Sequence, residues 1–75
     1  MEDKVKEIIA HVLQVPAEAI ENDTEIGELN EWDSLHNLTI FTELQKEFDV
    51  KITQEMLMDL ENVGDIIDML NNLAK

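Results

Sequence analysis

The sequence predicts an all-α protein: a small bundle of four helices, the third of them short, with a long loop after the first. Apolar residues recur at helical spacing near the start, in the middle and near the end of the chain. Residues suited to cap a helix stand before the second, third and fourth predicted helices: Asp33, Thr53 and Asn62. A short β-branched run at 50–52 has no second strand to pair with, so a sheet is not expected.

The first helix is predicted to end near Gln14. Its apolar residues follow the i, i+3, i+4, i+7, i+8 spacing of an amphipathic helix: Val5, Ile8, Ile9, Val12 and Leu13. Pro16 pushes the residue before it out of the α region, which ends the helix at this point.

A long connection, 15–33, follows and contains seven acidic residues and no basic one. It also contains five apolar residues at irregular spacing: Val15, Ile20, Ile26, Leu29 and Trp32. A loop that lay wholly in water would not need them, so we expect an ordered loop packed on the core, anchored by Trp32, with a short helical turn at 16–20. Loops of this length within a compact domain are often functional.

The second helix is predicted to begin at Ser34, with Asp33 as its N-cap, and to run to about Phe48. Its core-facing residues share one arc of the helix: Ile40, Phe41, Leu44 and Phe48. Leu35 and Leu38 lie off that arc, where they form either the rim of the core or contacts for a partner.

Two further helices complete the bundle. Thr53 is expected to cap a short third helix that holds Met56, Leu57 and Leu60. Asn62 is expected to cap the fourth, with Asp65 placed where a side chain reaches back to the cap. The fourth helix carries an apolar stripe: Val63, Ile66, Ile67, Leu70 and Leu73.

Length and charge narrow the classes of function. The 75 residues fit one domain, 1–75, with 18 acidic and 5 basic residues and a net charge of −13. This charge excludes nucleic acid as a partner, because phosphate backbones are bound by Lys and Arg, and it disfavours anionic membranes. It favours a basic protein partner. Without cysteine, a signal-like N-terminus or a membrane-spanning stretch, we expect a cytoplasmic monomer.

Motifs typical of enzymes are not found. Gly27 and Gly64 are the chain's two glycines, too few for a phosphate-binding loop, and His11 and His36 are not at metal-binding spacing. Ser34 with its neighbours His36 and Asp33 supplies the residue types of a catalytic triad, but adjacency in sequence does not give triad geometry. We expect a protein that is not an enzyme.

The segment Trp32-Asp33-Ser34-Leu35 carries information on function. It places a hydroxyl in the first turn of a helix, at the end of a long loop. A helix N-terminus offers unpaired N–H groups and the positive end of the dipole, so a phosphate ester on Ser34 would be stabilised there. On position alone, a simple helix-start residue is the plainer interpretation.

The chain resembles the acyl carrier proteins and their peptidyl relatives, through Asp33-Ser34-Leu35 and through the segments 13–20, 26–29, 44–50 and 63–67. The resemblance implies that a phosphopantetheinyl transferase attaches 4′-phosphopantetheine from coenzyme A to Ser34. The thiol of that group would carry an acyl or aminoacyl intermediate as a thioester. The resemblance also implies acyl-loading and acyl-processing partner enzymes with basic docking patches.

Further residue roles follow from the same resemblance. Asp33 and Leu35 would belong to the attachment site, and Leu38, Glu43 and Glu47 would contact partners. Positions 36, 37 and 39 are not acidic, unlike those of typical fatty-acid carriers, which favours a specialised carrier over the housekeeping one. His36 and His11 are expected to face solvent without a special role. The alternative is an unmodified acidic helical module that docks on a basic protein.

Overall fold

The computed structural model describes residues 1–73, and this part of the chain is helical. Its helices are α1 (Glu2–Leu13), α2 (Ser34–Phe48), α3 (Gln54–Met58) and α4 (Val63–Leu73), with a 3₁₀ turn at Ala17–Ala19 after α1. The β-type pairing within 1–73 is one isolated bridge between Glu25 and Asn62. The predicted all-α bundle of four helices with a short third helix and a long first loop is therefore confirmed.

The core lies where α1, α2 and α4 turn their apolar faces towards one another. The fully buried large side chains come from these three helices: Val5, Ile9, Ile40, Leu44, Val63, Ile66 and Leu70. The predicted core faces are thus largely confirmed. The exception is Leu73, which the spacing placed on the apolar stripe of α4 but which is 36% exposed and lines an open depression with Met56 and Leu60.

The helix ends follow the local signals in the sequence. Gln14 adopts the left-handed conformation (φ 59°) and terminates α1 as predicted. The Thr53 hydroxyl accepts the N–H of Met56 at the start of α3, which ends at Met58, so Leu60 lies outside that helix although it was predicted within it. Asn62 accepts the N–H of Asp65 as the α4 cap.

The long loop is ordered and is held on the start of α4. Its Ile20 and Trp32 side chains are each 3% exposed. The backbone bonds between the two segments run from Ile26 N–H to Glu61 C=O (2.9 Å), from Val63 N–H to Thr24 C=O (3.0 Å), and from Gly64 N–H to Asn22 C=O (2.7 Å). The loop therefore reaches the first residue of α2 from a fixed position. No helix within residues 1–73 is long and apolar enough to cross a membrane.

Candidate functional site

The junction of the long loop and α2 presents Ser34 at the surface. Asp33 is extended (φ −94°, ψ −176°), and its Oδ1 accepts the backbone N–H of His36 at 2.9 Å, which makes Asp33 the N-cap. Ser34 is the first residue of α2 and is exposed. Because the first N–H groups of a helix have no intrahelical acceptor, this hydroxyl stands beside unpaired donors at the positive end of the helix dipole.

Ser34 is also the only serine in the chain, a signal in the composition that the sequence interpretation did not use. The chain has no cysteine or tyrosine. All four threonine hydroxyls are engaged with the backbone: Thr24, Thr39, Thr42 and Thr53. An enzyme that modifies a primary hydroxyl therefore has one acceptor here.

Trp32 fixes the loop directly before this serine. Its indole is 3% exposed, and its Nε1–H donates to Oδ1 of Asn37 at 2.9 Å, while its backbone N–H donates to the C=O of Leu29 at 2.9 Å. The predicted loop anchor is confirmed. The bond to Asn37, which could not be foreseen from the sequence, ties the loop to the first turn of α2 and so positions Ser34 between two held residues.

His36 is partly exposed, with 40% of its side chain accessible, but it makes a defined contact where none was predicted. Its Nδ1 lies 2.7 Å from Oδ1 of Asp33, the same oxygen that accepts its backbone N–H. The backbone bond from His36, followed by the side-chain bond, holds the pKa of the Asp33 carboxyl below its usual value. Asp33 is therefore an anion at neutral pH, next to the exposed serine.

An open groove between α1 and α2 begins one residue after Ser34. Its volume is about 450 Å³, and its walls are His11 and Val12 from α1 and Leu35, His36, Thr39 and Glu43 from α2. His11 was predicted on the polar side of α1, and it is indeed exposed, but it shares this groove with His36. The sequence spacing of the two histidines gave no sign of that.

The exposed side of α2 is apolar near Ser34 and acidic further along. Leu35 and Leu38 are 70% and 64% exposed, so rim packing does not bury either side chain. Glu43 is exposed and lines the groove. Glu47 is also exposed, but its Oε2 lies 3.8 Å from Nζ of Lys4, which offsets part of its charge.

Two arrangements raised by the sequence, a triad at Ser34 and a metal site, can be compared with residues 1–73. The hydrogen bonds of residues 1–73 do not join Ser34 to His36, so the triad residue types do not make a triad. Within the same residues, no group of three or more His, Cys, Asp or Glu side chains could hold a metal ion. What the site offers is an accessible hydroxyl in a rigid setting.

The chain is similar to several known proteins. The family described as "Phosphopantetheine attachment site" matches residues 3–70. A protein named acyl carrier protein from Thermosynechococcus vestitus is 34% identical over 70 residues, which cover 93% of this chain and 86% of that protein. Another of the same name, from Buchnera aphidicola, is 32% identical over 75 residues, which cover 100% of this chain and 95% of that protein.

The fold has a similar solved structure. The solution NMR structure of a holo acyl carrier protein from Geobacter metallireducens superposes with a TM-score of 0.86 and 24% sequence identity. The match covers 96% of this chain and 83% of that one. At this level of identity the likeness establishes the shared helical fold.

Proposed function

The chain belongs to the acyl carrier protein family, and on that premise we propose that Ser34 is the residue to which its cofactor is attached. Proteins of this family are carriers rather than catalysts and hold 4′-phosphopantetheine covalently. The observation that carries the proposal is the exposed hydroxyl of the single serine, at the first residue of α2.

The residues around Ser34 fit a phosphodiester. Asp33 uses one oxygen to cap the N–H of His36, which leaves the N–H groups of Ser34 and Leu35 free of intrahelical partners. These donors and the helix dipole favour an anionic group on the adjacent hydroxyl. Leu35 is 70% exposed and leaves room for an enzyme to approach from that side.

When bound, the cofactor supplies a terminal thiol that holds an acyl or aminoacyl group as a thioester. A chain without cysteine needs such an imported thiol. The protein's own part is to present that arm: the Trp32–Asn37 bond and the Asp33 cap hold the attachment point still.

We further propose a specialised carrier rather than the housekeeping carrier of fatty-acid synthesis. Residues 34–42 contain no acidic residue, so partners that contact the first two turns of α2 meet the exposed Leu35 and Leu38. A housekeeping malonyl transferase should therefore load the wild-type holo protein slowly. Adding acids at exposed positions of α2, with Thr39→Glu and Thr42→Glu together, should speed loading. If the housekeeping transferase loaded the wild type efficiently, and the double variant at the same rate, the assignment as a specialised carrier would be refuted.

The proposed docking surface lies on the exposed side of α2. Carrier proteins of this family work with transferases and acyl-processing enzymes. We propose that this chain meets them as a single-domain cytoplasmic monomer, through Leu38, Glu43 and Glu47, and that the partners present basic patches to the two acids. The net charge of −13 supports attraction of this kind over long range.

The test of the attachment site is the intact mass after incubation with coenzyme A, Mg²⁺ and a broad-specificity phosphopantetheinyl transferase. The wild type should gain one phosphopantetheine group, and Ser34→Ala should gain none. Thr42→Ala, eight residues further along α2 at an exposed position outside the groove, is the matched control and should be modified like the wild type. No gain in the wild type, with a transferase that modifies another carrier, would favour the unmodified interaction module, which the comparisons do not support.

A further inference from the structure

The groove between α1 and α2 is placed where a group attached to Ser34 can enter it. Its wall begins with Leu35 and His36, the two residues that follow the serine. A second depression of about 210 Å³ shares His11, Val12 and Glu43 with the first, so the two adjoin. From residue 35 to residue 43 the groove follows α2 for about 12 Å, at 1.5 Å per residue.

The lining combines apolar surface with hydrogen-bonding groups. Val12 and Leu35 contribute methyl groups on opposite sides. The hydroxyl of Thr39 donates to the C=O of Leu35, which leaves its oxygen free to accept. Glu43 adds a carboxylate, and the imidazoles of His11 and His36 add ring nitrogens.

This lining matches the chemistry of pantetheine, which carries geminal methyl groups, a hydroxyl and two amides. Methyl groups suit Val12 and Leu35, while amide N–H groups suit the acceptors on Thr39 and Glu43. We propose, resting on attachment at Ser34, that the groove between α1 and α2 is the binding site for the pantetheine part of the chain's own cofactor.

Another depression, between α3 and α4, is the natural competitor. Its volume is about 290 Å³ and its lining is more apolar, with Met56, Leu60, Met69 and Leu73 among its residues. Neither Ser34 nor its immediate neighbours contribute to that lining. It therefore lacks the continuity with the attachment point that the groove between α1 and α2 has.

The test compares the apo protein with the holo protein by NMR, after intact mass has shown complete modification. We expect nuclear Overhauser contacts from the geminal methyl groups of the arm to the side chains of Val12 and His11. Amide shifts of His11 and Val12 should change on attachment, and those of Met69 and Leu73 should not. Leu35 and His36 are not used as reporters, because any group on Ser34 would move their signals.

A variant that fills the groove makes the test specific. In holo Thr39→Trp the contacts to Val12 should be lost, while holo Met69→Trp, which fills the competing depression, should keep them. A fully modified wild type whose arm contacts α3 and α4, or makes no contact with His11 and Val12 of α1, would overturn the proposed groove and leave the attachment at Ser34 intact. A wild type that gains no mass would overturn the attachment site and the groove with it.

Discussion

Nδ1 of His36 lies 2.7 Å from Oδ1 of Asp33, and the same oxygen accepts the backbone N–H of His36 at 2.9 Å. The residue before Ser34 and a residue in the first turn of α2 are thus held together by two hydrogen bonds to one oxygen atom. The start of α2 is fixed by this pair, and so is the serine between its members.

This pair predicts a pH dependence of stability. The pKa of Asp33 is held below its usual value, so the folded protein binds a proton at this carboxyl less readily than the unfolded chain. The resulting stabilisation is present above the ordinary carboxyl pKa and is lost as the pH falls through the lowered folded pKa. Asn is as good an N-cap as Asp, so Asp33→Asn removes the charge and keeps an acceptor.

We therefore expect Asp33→Asn to unfold at a lower urea concentration than the wild type at about pH 7, and the gap to narrow towards about pH 2. Trp32 fluorescence follows the transition. A second variant, His36→Ala, removes the imidazole bond to Asp33. In that background, the urea midpoints of the protein with Asp33 and the protein with Asp33→Asn should lie closer together. If the urea midpoints of wild type and Asp33→Asn differed equally at both pH values, the charge of Asp33 would not be the source of the stabilisation.

The Trp32–Asn37 bond predicts a cost for a conservative change. Trp32→Phe removes the indole N–H, leaves the half-buried Asn37 without its donor and loses volume, which should cost about 2 kcal/mol of the free energy of unfolding. Urea denaturation followed by circular dichroism measures it. Leu38→Ala, at a position 64% exposed, should stay within about 0.5 kcal/mol of the wild type. Equal stability of Trp32→Phe and wild type would show that this bond does not hold the loop.

Gly27 in the long loop adopts a positive φ of 87°. A Cβ there would meet the C=O of Trp32 at 3.8 Å, an ordinary contact, so the cost of Gly27→Ala is conformational and should be about 1 kcal/mol. Thermal unfolding should show the lower midpoint. Asn30→Ala, exposed in the same loop and without a positive φ, is the control and should leave the midpoint almost unchanged. An unshifted midpoint for Gly27→Ala would mean that the loop relaxes at this position.

The two acids of α2 should differ in their effect on docking. Glu47 lies 3.8 Å from Lys4, whereas Glu43 is exposed at the groove. The measurement is kcat/KM at low salt with a transferase that has a basic docking face. Glu43→Gln should lower this value by about threefold, and Glu47→Gln should lower it by less. Added salt should bring both variants towards the wild type, because it screens exposed charges. If Glu47→Gln were the more damaging change, the Lys4 contact would not matter in docking.

Local signals in the sequence predicted the helix ends well. The Asp33, Thr53 and Asn62 caps and the stop at Gln14 each depend on a side chain and a backbone group a few residues apart. Such contacts can be inferred from residue order because the helix geometry fixes the spacing. The side chain of Asp65 is a small departure: it accepts the N–H of Glu61, one residue before the cap it was expected to reach.

Contacts that depend on tertiary structure could not be predicted in the same way. The groove shared by His11 and His36 arises because α1 and α2 pack side by side, and no spacing along the chain encodes that. The spacing of Leu73 along α4 likewise did not reveal that this side chain is 36% exposed. The placement of Ser34 at the start of α2, by contrast, was local and was predicted.

The most direct measurement is peptide mapping by tandem mass spectrometry of the wild type purified from cells that also express a phosphopantetheinyl transferase. The account predicts one phosphopantetheine group, on the peptide that contains Ser34, with the fragment ions assigning it to that side chain. A fully unmodified peptide, or the group on a threonine instead, would contradict the assignment of Ser34 as the attachment site.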